Sequence, residues 1–123
     1  MAHGDITHFE IPVADKDAAT QFYGGLFGWQ IAAPEGYEDY PMWSAPNKIS
    51  GGGLVARDGS FTQPVGYVEV DSIDDVLAKV VAGGGSVLRG KAPISETSAW
   101  AVFADPDGNA VGLYESSEHA ADG

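Results

Sequence analysis

The sequence predicts an α+β fold made of two tandem βαβββ modules whose curved sheets enclose a cup-shaped cavity. Three observations predict it: an internal repeat, a change of hydrophobic period within each copy, and the placing of helix caps and glycines. The stretch Ile6–Asp15, ITHFEIPVAD, is answered 59 residues later by Val65–Asp74, VGYVEVDSID. Ten identities lie on that one offset: Glu10/Glu69, Asp15/Asp74, Ala19/Ala78, Gly24-Gly25/Gly83-Gly84, Ala33-Pro34/Ala92-Pro93, Ala45/Ala104 and Gly53-Leu54/Gly112-Leu113. Self-similarity at a fixed period marks copies of one structural unit.

In the first copy, residues 6–13 alternate with the period of a half-buried strand. Ile6, His8, Glu10 and Pro12 point one way; Thr7, Phe9, Ile11 and Val13 point the other. Asp15 is placed to cap the following helix, whose apolar face is Ala18, Ala19, Phe22, Tyr23 and Leu26 and which Gly24-Gly25 is expected to end. Residues 29–32 read as a short strand and 34–39 as a loop. Residues 40–45 and 51–57 read as two strands joined by a turn at 46–48, and 58–64 as the linker. In the second copy, 66–70 is a strand, and Ser72 with Asp75 forms an Asp version of a capping box. Val76, Leu77, Val80 and Val81 follow at helical spacing until Gly83-Gly84-Gly85. A strand at 86–89 and a loop at 90–98 precede a hairpin, 99–104 and 109–115, around the turn Asp105-Pro106-Asp107-Gly108. A frayed tail begins at Ser116. The modules therefore run over about 5–57 and 64–116 of a single domain, 1–123.

Composition narrows the function. With 123 residues the chain can bury a core, and without cysteine it has no disulfide, thiolate ligand or cysteine nucleophile. No apolar run approaches the ~18 residues of a membrane span, and the opening residues do not read as a signal peptide, so the expected compartment is the cytoplasm. The 18 acidic and 6 basic residues, net charge −12, argue against nucleic acid and polyanions and are compatible with a cationic ligand.

One helix per module can cover only one face of its sheet. Phe9, Ile11, Val68 and Val70 are the apolar strand members and belong beneath the helices. His8, Glu10, Tyr67 and Glu69 are left to face the cup, where polar side chains mark a ligand site.

The paired βαβββ units, the opening THFEIPVAD…ATQFYGGLFGW and the closing VFADPDGNAVGLYE resemble the vicinal oxygen chelate superfamily. That group includes glyoxalases, bleomycin-resistance proteins, fosfomycin-resistance enzymes and extradiol dioxygenases. The likeness covers residues 5–116. It implies a homodimer, and in metal-dependent members a divalent ion held by side chains of the first and last strand of each unit. Carried onto this chain, those positions are His8, Ala56, Tyr67 and Glu115. His8 and Glu115 match a metal ligand. Ala56 offers no donor and Tyr67 is a poor ligand, which leaves fewer than the three protein ligands usual in open catalytic sites. Glu10 and Glu69 lie on the same strand faces as His8 and Tyr67, about 6–7 Å farther along.

The expected function is binding of a small, largely hydrophobic or cationic organic molecule in the cup, with a degenerate metal site and no required cofactor. Tyr67, Trp43 and Trp100 are the expected ligand contacts, with Phe61, Tyr37 and Tyr40 near the rim. The alternative is a divalent-metal-dependent lyase, isomerase or dioxygenase using Zn, Ni, Mn or Fe on His8 and Glu115. A third reading is a metal-free enzyme with Glu10 or Glu69 as general base. No basic residue falls at a predicted inner strand position, so a fosfomycin-like phosphonate site is not expected.

Overall fold

The computed structural model describes residues 3–47, 50–59 and 62–117. Phe61, His119, the end of the expected 46–48 turn and the tail beyond Ser117 lie outside them. The elements are β1 (Ile6–Val13), α1 (Lys16–Phe27), β2 (Gln30–Ala32), β3 (Met42–Ser44) and β4 (Gly51–Ala56), then β5 (Val65–Glu69), α2 (Ile73–Ala82), β6 (Ser86–Pro93), β7 (Ser98–Ala104) and β8 (Ala110–Ser116). The order is βαβββ, twice. Contacts group Thr7–Val65 into one compact unit and Gly66 onward, with the residues ahead of Thr7, into the other. Glu69 shows why the start of the chain joins the second unit. Its N–H donates to the Asp5 carbonyl and its own carbonyl accepts from the Gly4 N–H, each at 2.8 Å. Among the described residues, no helix is long and apolar enough to cross a membrane.

In the first unit the strand order is β2-β3-β4-β1, with β1 and β4 parallel and the other pairs antiparallel. Extended Asp15 starts α1 by accepting from the Ala18 N–H at 3.0 Å. The helix runs through Gly24-Gly25 and ends at Gly28, whose φ of 72° is the left-handed stop and whose N–H returns to the Gly24 carbonyl at 2.9 Å. Gly24-Gly25 is thus not the stop expected, because the chain turns where a glycine takes positive φ, not at the first glycine met.

Ile11, Trp43 and Leu54 form this core, with Val13, Ala19, Tyr23, Trp29, Ile31 and Ala45 packed against them. Phe9 was expected there and is 40% exposed instead. The Trp43 indole lies over Gly52, the residue paired with Phe9, and donates from Nε1 to the Phe9 carbonyl at 3.2 Å. That indole takes the space. Of the expected helix face, Ala19 and Tyr23 pack while Phe22 and Leu26 stay exposed, since one helix turns only a limited stripe toward its sheet.

In the second unit the order is β5-β8-β7-β6, with β5 and β8 parallel. Ser72 caps α2 by accepting from the Asp75 N–H at 3.2 Å, and Gly84, φ 97°, follows its end. Val70, Ile73, Ala99, Ala101 and Leu113 form the core, with Val68, Val76, Leu77 and Phe103 against them. β6 extends to Pro93, past the end expected at Arg89, and carries two register shifts against β7. In the β7–β8 turn, Asp105 accepts from the Asp107 and Asn109 N–H groups at 2.9 Å each. Its bonds from Asn109, side chain first, hold the Asp105 carboxyl below the usual range.

Candidate functional site

Strand alternation sorts the site residues. Ile11 faces α1, so His8 and Glu10 lie on the opposite face of the first unit's sheet. Register places Gly53 of β4 beside Glu10. A Cβ on Gly53 would overlap the Tyr40 ring, so the phenol packs against bare backbone. From there the Tyr40 hydroxyl donates to Glu10 Oε2 at 2.7 Å and bonds His8 Nε2 at 2.5 Å. The two bonds make the Tyr40 hydroxyl the link between the imidazole and the carboxylate. Burial holds His8 below its ordinary value of 6.5, against the opposing pull of Glu10. All three side chains are half-buried.

The second unit has a matching construction. Tyr67 of β5 pairs with Gly112 of β8, and a Cβ on Gly112 would overlap the Tyr67 ring. Ala99, Ala101 and Leu113 face α2, so Trp100, Val102 and Tyr114 point the other way with Tyr67. The Tyr67 and Trp100 rings lie 6.4 Å apart, and the Arg89 guanidinium stands 4.9 Å from the Trp100 ring centroid. Arg89 pairs with Val102 between the two shifts in β6. Contrary to the expectation of no basic inner residue, a cation therefore stands on this face. Bulges re-aim side chains, and the periodicity of the sequence does not reveal them. Tyr67 is buried and Glu69 is 6% exposed, whereas Trp100 is half-buried and Arg89 exposed.

Glu115 lies elsewhere. It pairs with Ala99 and so faces α2, where Oε1 accepts from the Ile73 N–H at 2.7 Å. Its Oε2 is 3.3 Å from Lys91 Nζ, and that hydrogen bond raises the Lys91 pKa. The carboxylate thus caps the start of α2 instead of turning to a metal. Ala56, paired with Val13, also falls on the helix side of its sheet. The residues beside Glu10 and Tyr67 on the opposite faces are Gly53 and Gly112, which offer no side-chain donor and whose space two tyrosines fill. Among the described residues, no three His, Asp or Glu side chains gather closely enough to hold an ion. The donor set does not fit a divalent metal.

Trp43 also departs from its expected place. It is buried in the first core, its ring stacked on Trp29 at 3.7 Å between centroids. It is a core residue of the first unit. Sequence reasoning assigned no role to Arg89 or Tyr114 and left Tyr40 at the rim. The repeated Gly53-Leu54 and Gly112-Leu113 were the available signal, since a glycine inside a strand marks a close approach.

Comparison with known proteins agrees with this architecture. Residues 5–42 match the family described as bleomycin resistance protein-like N-terminal. Over 89% of its length the chain is 31% identical to CFP32 of Mycobacterium bovis, a protein named among the glyoxylases. These likenesses support the resemblance of the chain to the vicinal oxygen chelate superfamily. The chain spans 45% of CFP32, about half that relative's length. The fold is shared with methylmalonyl-CoA epimerase from Mycobacterium tuberculosis (TM-score 0.68, 17% identity, 100% of this chain and 95% of that one). It is shared also with the Mn(II)-bound glyoxalase from Novosphingobium aromaticivorans (TM-score 0.66, 19% identity, 93% of this chain and 39% of that one).

Proposed function

We propose that this protein binds a flat, largely hydrophobic organic molecule without a resident metal, holding it against Trp100 with Arg89 engaging an oxygen-rich or anionic group. The observation that carries this reading is the Arg89 guanidinium over the Trp100 ring, on a face that also carries Tyr67 and Tyr114. An aromatic face takes a flat ring system, and a guanidinium held above it presents donors to a carboxylate or enolate at its edge. Arg89 favours an uncharged or anionic group over the cation that the overall charge suggested. A metal-dependent lyase, isomerase or dioxygenase has no support from the donor set, because Glu115 is committed to α2 and Lys91.

The expected homodimer is part of the reading. Phe22, Leu26 and Phe27, exposed on α1, supply apolar surface for a second copy, and sedimentation equilibrium tests it.

Calorimetry with three ligands of one ring system tests the binding: 2-naphthoate, 2-naphthamide and 2-naphthylmethylammonium. The naphthoate binds tightest and loses about tenfold in affinity in Arg89→Ala, the size of one charge-assisted hydrogen bond. Preference for the ammonium compound, or equal affinity in Arg89→Ala, contradicts the proposal.

A further inference from the structure

We infer that the second unit carries a separate site for a small polyhydroxylated cation, an amine-bearing sugar or polyol, in the cleft between the β6–β7 turn and the end of β8. The cleft holds about 380 Å³, at the small end of the roughly 300–1,000 Å³ usual for ligand pockets. Its wall includes Ala99 and Glu115, which face α2, so it lies on the other side of the sheet from Trp100.

Hydroxyls make up much of that wall. The turn is held by backbone bonds: the Ile94 and Ser95 N–H groups both donate to the Ser98 carbonyl, at 2.9 and 3.2 Å, and the Ser117 N–H donates to the Thr97 carbonyl at 2.8 Å. Ser95 Oγ then stands 2.7 Å from Ser98 Oγ and 3.3 Å from Thr97 Oγ1. Three hydroxyl protons serve those two contacts, so at least one is left to donate to a ligand. The Thr97, Ser98 and Ser117 oxygens keep lone pairs with which to accept. A polyol needs such partners, because each of its hydroxyls both gives and takes a hydrogen bond. Pro93 and Ala99, paired across β6 and β7, offer apolar surface to its C–H side. A wall fixed before binding spares the cost of ordering it.

Charge selects the amine. Lys91 Nζ lies 3.3 Å from Glu115 Oε2 and 3.7 Å from Asp74 Oδ2, so its charge is already answered by two carboxylates. Glu96, on the same wall, makes no hydrogen bond or ion pair among the described residues. Carboxylates therefore outnumber the ammonium in and beside the cleft, which favours a cationic group and disfavours an anion.

The probes are glucosamine, glucose, glucuronate and methylammonium, titrated at about pH 6, where the amines are charged. The readout is the backbone amide NMR shifts of residues 94–98 and Ser117. Glucosamine shifts them saturably, glucose binds more weakly, and glucuronate and methylammonium leave them unmoved. Glu96→Gln weakens glucosamine about threefold, the size of an exposed ion pair, and brings it level with glucose. Ser98→Ala, which removes a hydroxyl and leaves the backbone of the turn, weakens glucosamine and glucose alike. No saturable shift with glucosamine, an equal response to methylammonium, a preference for glucuronate, or an unchanged affinity in either variant overturns the inference.

Discussion

The Tyr40 ring occupies the space a side chain on Gly53 would fill, and from that seat its hydroxyl joins His8 to Glu10. Tyr67 stands over Gly112 in the same way in the other unit. The two glycines are equivalent positions of the sequence repeat, so both copies use one device. A strand glycine lets an aromatic ring pack directly on the sheet, at a point where a larger residue would occupy its space.

Gly53→Ala and Gly112→Ala should therefore destabilise by about 1–3 kcal/mol, the usual cost of overpacking. Gly52→Ala should cost more, about 3–5 kcal/mol, because its methyl meets Phe9 backbone, which cannot swing aside. Urea denaturation of the three variants measures the order, and an equal cost for all three contradicts it.

Glu115 is expected to act on stability and not on metal. Glu115→Ala should cost about 1–2 kcal/mol by leaving the Ile73 N–H without its acceptor, while Glu115→Gln keeps an oxygen there and recovers most of it. Melting curves read this. Bound metal by elemental analysis should be the same in all three proteins.

Much of this was legible in the sequence, and the failures share a physical cause. The repeat and the alternation around Ile11 and Val70 placed both cores and the βαβββ order of each unit. Glu115 and Ala56 were misplaced as ligand positions because each stands three residues past the glycine facing the other way, and an odd shift along a strand reverses the face. Arg89 was hidden by bulges in β6, and Trp43 by a strand too short to show its parity. Tyr40 reaches β1 from outside any strand or helix, through a contact spanning 30 residues that no local pattern records.

The two tryptophans should separate cleanly. Trp43→Ala empties a core position stacked on Trp29 and should cost about 3–5 kcal/mol. Trp100→Ala, at a half-buried site, should cost about 1–2 kcal/mol and abolish ligand binding. Denaturation curves beside ligand titrations test the contrast.

Acid sensitivity follows from His8. Its folded-state pKa lies below its ordinary 6.5, so folding favours the neutral ring. The stability this contributes is fully present above about pH 6.5 and is lost as pH falls through the folded value. His8→Gln, which does not titrate there, should flatten that part of the profile, as read by urea midpoints between about pH 7 and pH 5. A variant whose midpoint falls as steeply as the wild type's contradicts the assignment.

The most direct test of metal-free ligand binding is a fluorescence titration with 2-naphthoate, run with chelator and again with added Mn, Fe, Ni or Zn. The account predicts saturable quenching of equal affinity in every condition, lost in Trp100→Phe and weakened about tenfold in Arg89→Ala. Quenching that requires a metal, or that survives unchanged in both variants, would contradict it.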